Sequence, residues 1–202
     1  MNWKECSHLI VSDLRREIGG GKISVGTFLY CYLVKETFKV SLWFRLGTFF
    51  MSKKSFAYRQ LYYFSKVWSK HIAHKTGIQI PIGTHVDEGL KFFHYGCIII
   101  AQSAKIGKNA SIHQGVTIGR VFAGHYAGVP TIGDNVVIFA GAKVLGNVVV
   151  GDNAVIGANS VVTKDVPANA VVAGVPAKVI SEDSCKCFTK EWGDVFSHGY
   201  YE

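Results

Sequence analysis

Prolines and charges are scarce in this sequence: 4 of its 202 residues are proline and 18% are charged, against 49% hydrophobic. That balance lacks the low-hydrophobicity, high-charge signature of disorder, and the 22 glycines follow no collagen-like or low-complexity pattern. Long apolar runs are missing too. The stretch from Ile23 to Val34 is interrupted by Ser24, Gly26 and Thr27, short of the roughly 18–20 apolar residues a membrane-spanning helix needs. The opening Met-Asn-Trp-Lys-Glu-Cys has no basic region followed by an apolar stretch and a small-residue cleavage site, so no secretory signal is expected. Cysteines number five, at 6, 31, 97, 185 and 187. An odd count without an export signal points to reduced thiols in a cytoplasmic setting. Cys185 and Cys187 form only a Cys-x-Cys pair with no second pair at zinc spacing, so no metal is expected. The length suits one full domain and a small extension.

The charge that is present is unevenly placed. Residues 1–76 hold 13 Lys/Arg against 4 Asp/Glu, a net +9, while residues 77–202 hold 9 against 10, a net −1, which together give the formal +8. The surplus is interleaved with aromatics, as in Trp43-Phe44-Arg45 and Tyr58-Arg59-Gln60-Leu61-Tyr62-Tyr63-Phe64. Such a surface suits a helical cap packed inside an oligomer with its lysines solvated, with anionic lipid headgroups as the alternative. No nucleic-acid partner is expected. Within this region the spacing predicts a helix over 7–18, capped by Ser7 and stopped by Gly19-Gly20-Gly21. Two more are predicted over about 25–50 and 54–75, with a break near Gly47 or Ser52.

After Thr76-Gly77 the texture changes to valine, isoleucine, glycine and asparagine, and a repeat takes over. Steps of six from Ile100 reach Ile106, Ile112 and Ile118, and steps of six from Ile132 reach Ile138, Val144, Val150, Ile156 and Val162. The residue four further on is small or β-branched, as at Ala104, Ala110, Val116, Ala142, Ala154 and Val166. A period of six fits neither an isolated strand nor an α-helix. It suits a triangular solenoid in which each hexad makes one short strand and a turn, and three hexads complete a coil. Asn109, Asn135, Asn147, Asn153 and Asn159 are the expected left-handed corner residues. The domains expected are a helical region over 1–76, a β-solenoid over 77–180 and a tail over 181–202 with no assigned role. Between Ile118 and Ile132 the period is broken by fourteen residues, so a loop over 120–130 leaves the prism, either as a binding element or as a plain crossover.

These residues resemble the hexapeptide-repeat acyltransferases, whose domain is a left-handed parallel β-helix. The resemblance rests on Ile156 to Pro167 followed by Ala173-Gly174-Val175-Pro176-Ala177-Lys178-Val179-Ile180, which looks like the family's closing segment. Within the family, Ile78 to Ile180 is similar to the serine acetyltransferase branch. It is closer to the colanic-acid and capsule-type O-acetyltransferases through Gly77-Ile78-Gln79-Ile80, Phe93-His94-Tyr95-Gly96 and Ile112-His113-Gln114-Gly115-Val116-Thr117-Ile118-Gly119. The resemblance implies acetyl transfer from acetyl-CoA to a hydroxyl, a homotrimer, and a groove between prisms for acetyl-CoA; whether two such trimers pair into a dimer of trimers is left open by the sequence.

The family's catalytic histidine matches His94, and counting back six from Ile100 also lands on His94, where an inward aliphatic is expected. Histidine titrates near neutrality, so it can accept a hydroxyl proton and return it; the alternative is a hydrogen-bonded structural histidine. Serine acetyltransferases carry acids at the positions of Gln79 and Phe93, and an Arg-His pair where Gly128 and Val129 stand here. Free serine needs charged partners that these residues do not supply, whereas a sugar hydroxyl, on a small molecule or a lipid-linked precursor, does not. The expected acceptor is therefore a sugar of a surface polysaccharide, acetylated at the inner face of the membrane, with serine as the alternative. Gln79, Phe93, Tyr95, His113 and His125 are the acceptor-side candidates, His113 projecting toward a neighbouring subunit or substrate and His125 touching the acceptor or standing solvated. For acetyl-CoA the resemblance points to Gly119, Ala140 and Ala158, with Arg120, Lys143 and Lys178 as candidate phosphate partners or ordinary solvated charges. Two other classes remain: a carbonic-anhydrase-like zinc trimer using His94, His113 and His125, and a non-catalytic scaffold. If the basic aromatic region binds lipid, removing residues 1–76 abolishes sedimentation with anionic vesicles; unchanged sedimentation rejects that contact.

Overall fold

A computed structural model describes residues 1–187. The expected tail over 181–202 lies mostly outside the described residues. Four helices come first: α1 (Trp3–Glu17), α2 (Val25–Val34), α3 (Glu36–Met51) and α4 (Phe56–Thr76). No described helix is long and apolar enough to cross a membrane.

The first helix starts earlier than its apolar spacing predicts, because Asn2 and not Ser7 caps it. The Asn2 side chain accepts from the Glu5 N–H at 2.8 Å and the Glu5 carboxylate accepts from the Asn2 N–H at 2.9 Å, a reciprocal capping box. Ser7 lies inside the helix and donates to the Lys4 carbonyl. The helix predicted over 25–50 is two helices, and they part at Lys35 rather than at Gly47 or Ser52. Gly47 sits inside α3, where a Cβ would stand 2.6 Å from the Ile82 side chain and 3.1 Å from the Ser65 hydroxyl. That glycine lets α4 and the first coil close on α3.

After Gly77 the chain coils into a triangular parallel prism of three sheets. The first face holds Ile78–Gln79, Ile98–Ile100, Thr117–Gly119, Lys143–Leu145 and Val161–Val162. The second holds His85–Val86, Lys105–Ile106, Thr131–Ile132 and Val149–Val150. The third holds Lys91–Phe92, Ser111–Ile112, Val137–Ile138, Val155–Ile156 and Val171–Ala173, closed by the antiparallel Lys178–Ser181. Registry turns the six-residue period into columns. Ile100, Ile118, Val144 and Val162 stack on one face, Val86, Ile106, Ile132 and Val150 on the next, Phe92, Ile112, Ile138 and Ile156 on the third, all buried.

The columns correct the phase assigned to His94. A full turn takes eighteen residues where Ile132 pairs with Val150 and Ile138 with Ile156. Phe92, however, pairs with Ile112, twenty residues on, so the first turn carries two extra residues. The inward position before Ile100 is Phe92, and His94 is exposed on the insert. The last turn is shortened instead: Val150 meets Val166 after sixteen residues, which makes Val166 an inward aliphatic. At the corners Asn109, Asn135, Asn153 and Asn159 have positive φ as expected; Asn147 does not, and Asn169 does. Down one edge the side-chain amides of Asn109, Asn135 and Asn153 each donate to the next asparagine's side-chain oxygen at 2.9–3.0 Å, ending on Asn169, which accepts.

The helices are fastened to the prism by buried charge. Asp13 of α1 accepts from Arg45 of α3 at 2.9 and 3.1 Å and from the Leu90 N–H at 2.9 Å. Arg45 also donates to the carbonyls of Val86 and Asp87, and Arg16 of α1 donates to the Gly89 carbonyl and the Ser111 hydroxyl. Burial pushes the Asp13 carboxyl up, and the Arg45 guanidinium and Leu90 N–H pull it back. Removing one partner leaves the other charge buried and unpaired. Asp13→Ala is therefore expected to lower stability by about 3–5 kcal/mol in urea unfolding, and Asp13→Leu combined with Arg45→Met to lower it by less.

Candidate functional site

The third and first faces meet at the corner made by Phe93-His94-Tyr95-Gly96-Cys97. Two extra residues cannot enter a prism filled by its inward columns, so they bulge outward, with Gly96 at φ 125° and Cys97 at φ 51°. The bulge is tied on both sides: Ile98 donates to the Gly77 carbonyl at 3.0 Å and Gly115 to the Gly96 carbonyl at 2.8 Å. It presents His94 and Tyr95 to solvent, Tyr95 at 58% exposure. Gln79 lies one strand away, in register with Ile99 on the outer side of the first face.

Beside the bulge stands an aromatic sandwich. Phe93, His113 and Phe139 each follow an inward residue of the third face, and their rings stack. Phe93 and His113 are 4.5 Å apart and 3° from parallel, and His113 and Phe139 are 5.0 Å apart. The Lys91 ammonium lies 4.7 Å from the Phe93 ring centre. His113 is only 8% exposed, and its Nε2 has no hydrogen-bond partner among the described residues. Burial, then the nearby His94 and Lys91, hold the His113 imidazole down to about 4. It is a neutral ring at ordinary pH, with one buried polar atom left unpaired among the described residues. Phe139 was not singled out from the sequence; the signal was its place directly after inward Ile138, in the same column as Phe93 and His113.

The acetyl-CoA candidates divide between two edges of the prism. Below His94 run Gln114-Gly115, Ala140-Gly141 and Ala158-Asn159, stacked through Gly141 N–H to Gln114 O and Asn159 N–H to Ala140 O, both 2.9 Å. Lys143 reaches this edge and donates to the Gly115 carbonyl. Lys178 is paired with Ala173 at its foot. Ala140, Ala158, Lys143 and Lys178 thus share His94's edge, whose small side chains let a ligand lie near the backbone. Gly119 and Arg120 stand on the next edge, where Arg120 donates to Ser103 at 3.1 Å.

The loop over 120–130 also leaves from that second edge. Val121 and Gly128 exchange backbone hydrogen bonds at 3.0 and 2.9 Å, and Asn147 donates to the Tyr126 carbonyl. His125 packs edge-on against Tyr126. His94 and His125 are therefore not brought together within one chain. Among the described residues no Asp or Glu bonds to His94 or His113, and no group of three or more His, Cys, Asp or Glu is arranged to hold a metal.

Residues 130–164 match the family of bacterial transferase hexapeptide proteins (six repeats). A serine acetyltransferase of Staphylococcus aureus is 37% identical over 152 residues, covering 65% of this chain and 69% of the relative. The crystal structure of Neisseria gonorrhoeae serine acetyltransferase in complex with serine has a TM-score of 0.71 and 29% identity, covering 89% of this chain and 70% of that one. A serine acetyltransferase in complex with CoA has a TM-score of 0.66 and 27% identity, covering 87% and 68%.

The buried imidazole of His113 gives stability a pH dependence. Unfolded, the ring takes up a proton below about 6.5; folded, it resists until about 4. Stability is therefore expected to decline as pH falls through that window, by up to about 3 kcal/mol from this residue. His113→Phe keeps the ring stack and removes the titration. Thermal unfolding of the variant should show a shallower fall between pH 6.5 and pH 4.

Proposed function

The chain belongs to the hexapeptide-repeat acyltransferases, alongside the serine acetyltransferases, and we propose that His94 is the general base of its acetyl transfer to a hydroxyl. The fold is a left-handed parallel β-helix and the enzyme is an acetyl-CoA-dependent acyltransferase. The observation that carries the role of His94 is its exposure on the corner insert, beside the His113 stack and above an edge of small residues.

In this reading acetyl-CoA lies along the edge of Ala140 and Ala158, with Lys143 and Lys178 near its phosphates. The acceptor hydroxyl attacks the thioester carbonyl carbon while His94 takes the hydroxyl proton. The tetrahedral adduct then collapses, the C–S bond breaks, and His94 returns the proton to the departing thiolate. A base so placed is worth about 10²–10⁴ in rate. The loop over 120–130, with Arg120 and Gly119, stands on another edge of the same prism, so it reaches His94 only from a neighbouring copy. That separation supports a homotrimer with three shared sites.

The comparisons favour L-serine as the acceptor over the polysaccharide sugar expected from the sequence, because the relatives in sequence and in structure are serine acetyltransferases. One observation keeps a sugar hydroxyl as the second reading. The described residues place no carboxylate on His94, whose chain neighbour is Phe93, and Gln79 stands one strand away in register with Ile99, so the ammonium of a free amino acid finds no counter-charge there. Contact with an anionic membrane rests on the exposed Phe56, Tyr63, Phe64 and Val67 of α4.

The test is release of CoA thiol from acetyl-CoA, with L-serine and a panel of sugars offered separately. His94→Ala is expected to lose about 10²–10⁴ of the rate. Serine-dependent release establishes the first acceptor and sugar-dependent release the second; equal turnover by His94→Ala rejects the role of His94.

A further inference from the structure

A cavity of about 330 Å³ lies where α3 and α4 meet the first coil of the prism. Three observations distinguish it from an ordinary gap. Trp43 Nε1 and Ser69 Oγ are buried with no hydrogen-bond partner among the described residues, and both residues line this one cavity. Buried donors are almost always paired in folded proteins, so two orphans in one cavity call for a ligand-side explanation. Lys66 and Lys70, one helical turn apart on α4, stand on the same wall, and no Asp or Glu among the described residues lines it. The opposite wall brings the amides of Gln79 and Gln102, over a floor that includes Phe44, Ile72 and Ile80. Trp43 is held in place by Phe64 and Trp68, with ring centres 5.8 and 6.0 Å away, so its N–H is fixed in direction.

We propose that this cavity binds a phosphate monoester carried on a ring or short apolar body. Two ammonium groups with no acid beside them among the described lining residues favour a compact dianion. The fixed indole N–H and the serine hydroxyl supply hydrogen bonds to its oxygens or to ring hydroxyls, and the apolar floor accepts the body. The volume falls at the lower end of the range for small-molecule sites. A free sugar phosphate and a phospholipid headgroup share this chemistry. The cavity shares Gln79 with the acceptor-side residues of the acetyl-transfer reading, and binding measured without acetyl-CoA keeps its test separate from that of the transfer.

The experiment is isothermal titration calorimetry of the full chain with glucose 1-phosphate, dihexanoyl phosphatidic acid and unphosphorylated glucose. Binding of either phosphate with no heat from glucose is expected, the tighter of the two naming the source. The double variant Lys66→Ala/Lys70→Ala should weaken that binding by about tenfold or more at unchanged thermal midpoint. Trp43→Phe keeps the ring, removes the N–H and should also weaken it. Glucose binding as well as glucose 1-phosphate, no binding of either phosphate at millimolar concentration, or full affinity in the lysine variant overturns the proposal.

Discussion

Each turn of the prism has room for one large inward side chain per face, and the rest of the structure depends on that limit. Ile100, Ile118, Val144 and Val162 fill one column, and equivalent residues fill the other two. Close packing of this kind leaves no interior site for an added residue. Departures from the period are therefore forced outward at the corners: two residues around His94, and the loop over 120–130. Both departures carry the candidate chemistry. The rigidity of the columns is also what holds a bulge such as Phe93–Cys97 in one place.

The helices meet that rigid body through polar anchors. Asp13 and Arg16 from α1, and Arg45 from α3, reach the turn from Val86 to Leu90, so two helices are referenced to one corner of the first two coils. A purely apolar contact tolerates sliding; a bidentate pair with backbone partners does not. The position of α4 follows, since Gly47 brings it against α3 at close range. The cavity of Trp43 and Ser69 exists because those anchors fix α3 and α4 over the first coil.

The site combines one exposed imidazole with one buried imidazole, and environment alone separates them. His113 lies between two aromatic rings, where solvent cannot stabilise its cation, so it stays neutral. His94, on the bulge, is open to solvent and to a partner. Among the described residues no carboxylate bonds to either ring.

Much of this was legible beforehand because a six-residue repeat is a local property. The inward aliphatics, the outgoing loop and the corner asparagines at 109, 135, 153 and 159 all follow from spacing along the chain. His94 was singled out by the family resemblance and by a count of six that is out of phase, since the two-residue insert that displaces it shows only when Phe92 is seen to pair with Ile112. Asn2 rather than Ser7 as the cap, and Lys35 as the break between α2 and α3, rest on local geometry that apolar spacing does not report. The sequence by itself determined the prism, its period and the residue types at its corners, because those depend on neighbours six or eighteen positions away. Tertiary structure alone decided the Phe93–His113–Phe139 stack, the Asp13–Arg45 anchor and the cavity lined by Trp43, because each joins residues whose separation carries no period and whose meeting depends on how whole elements pack.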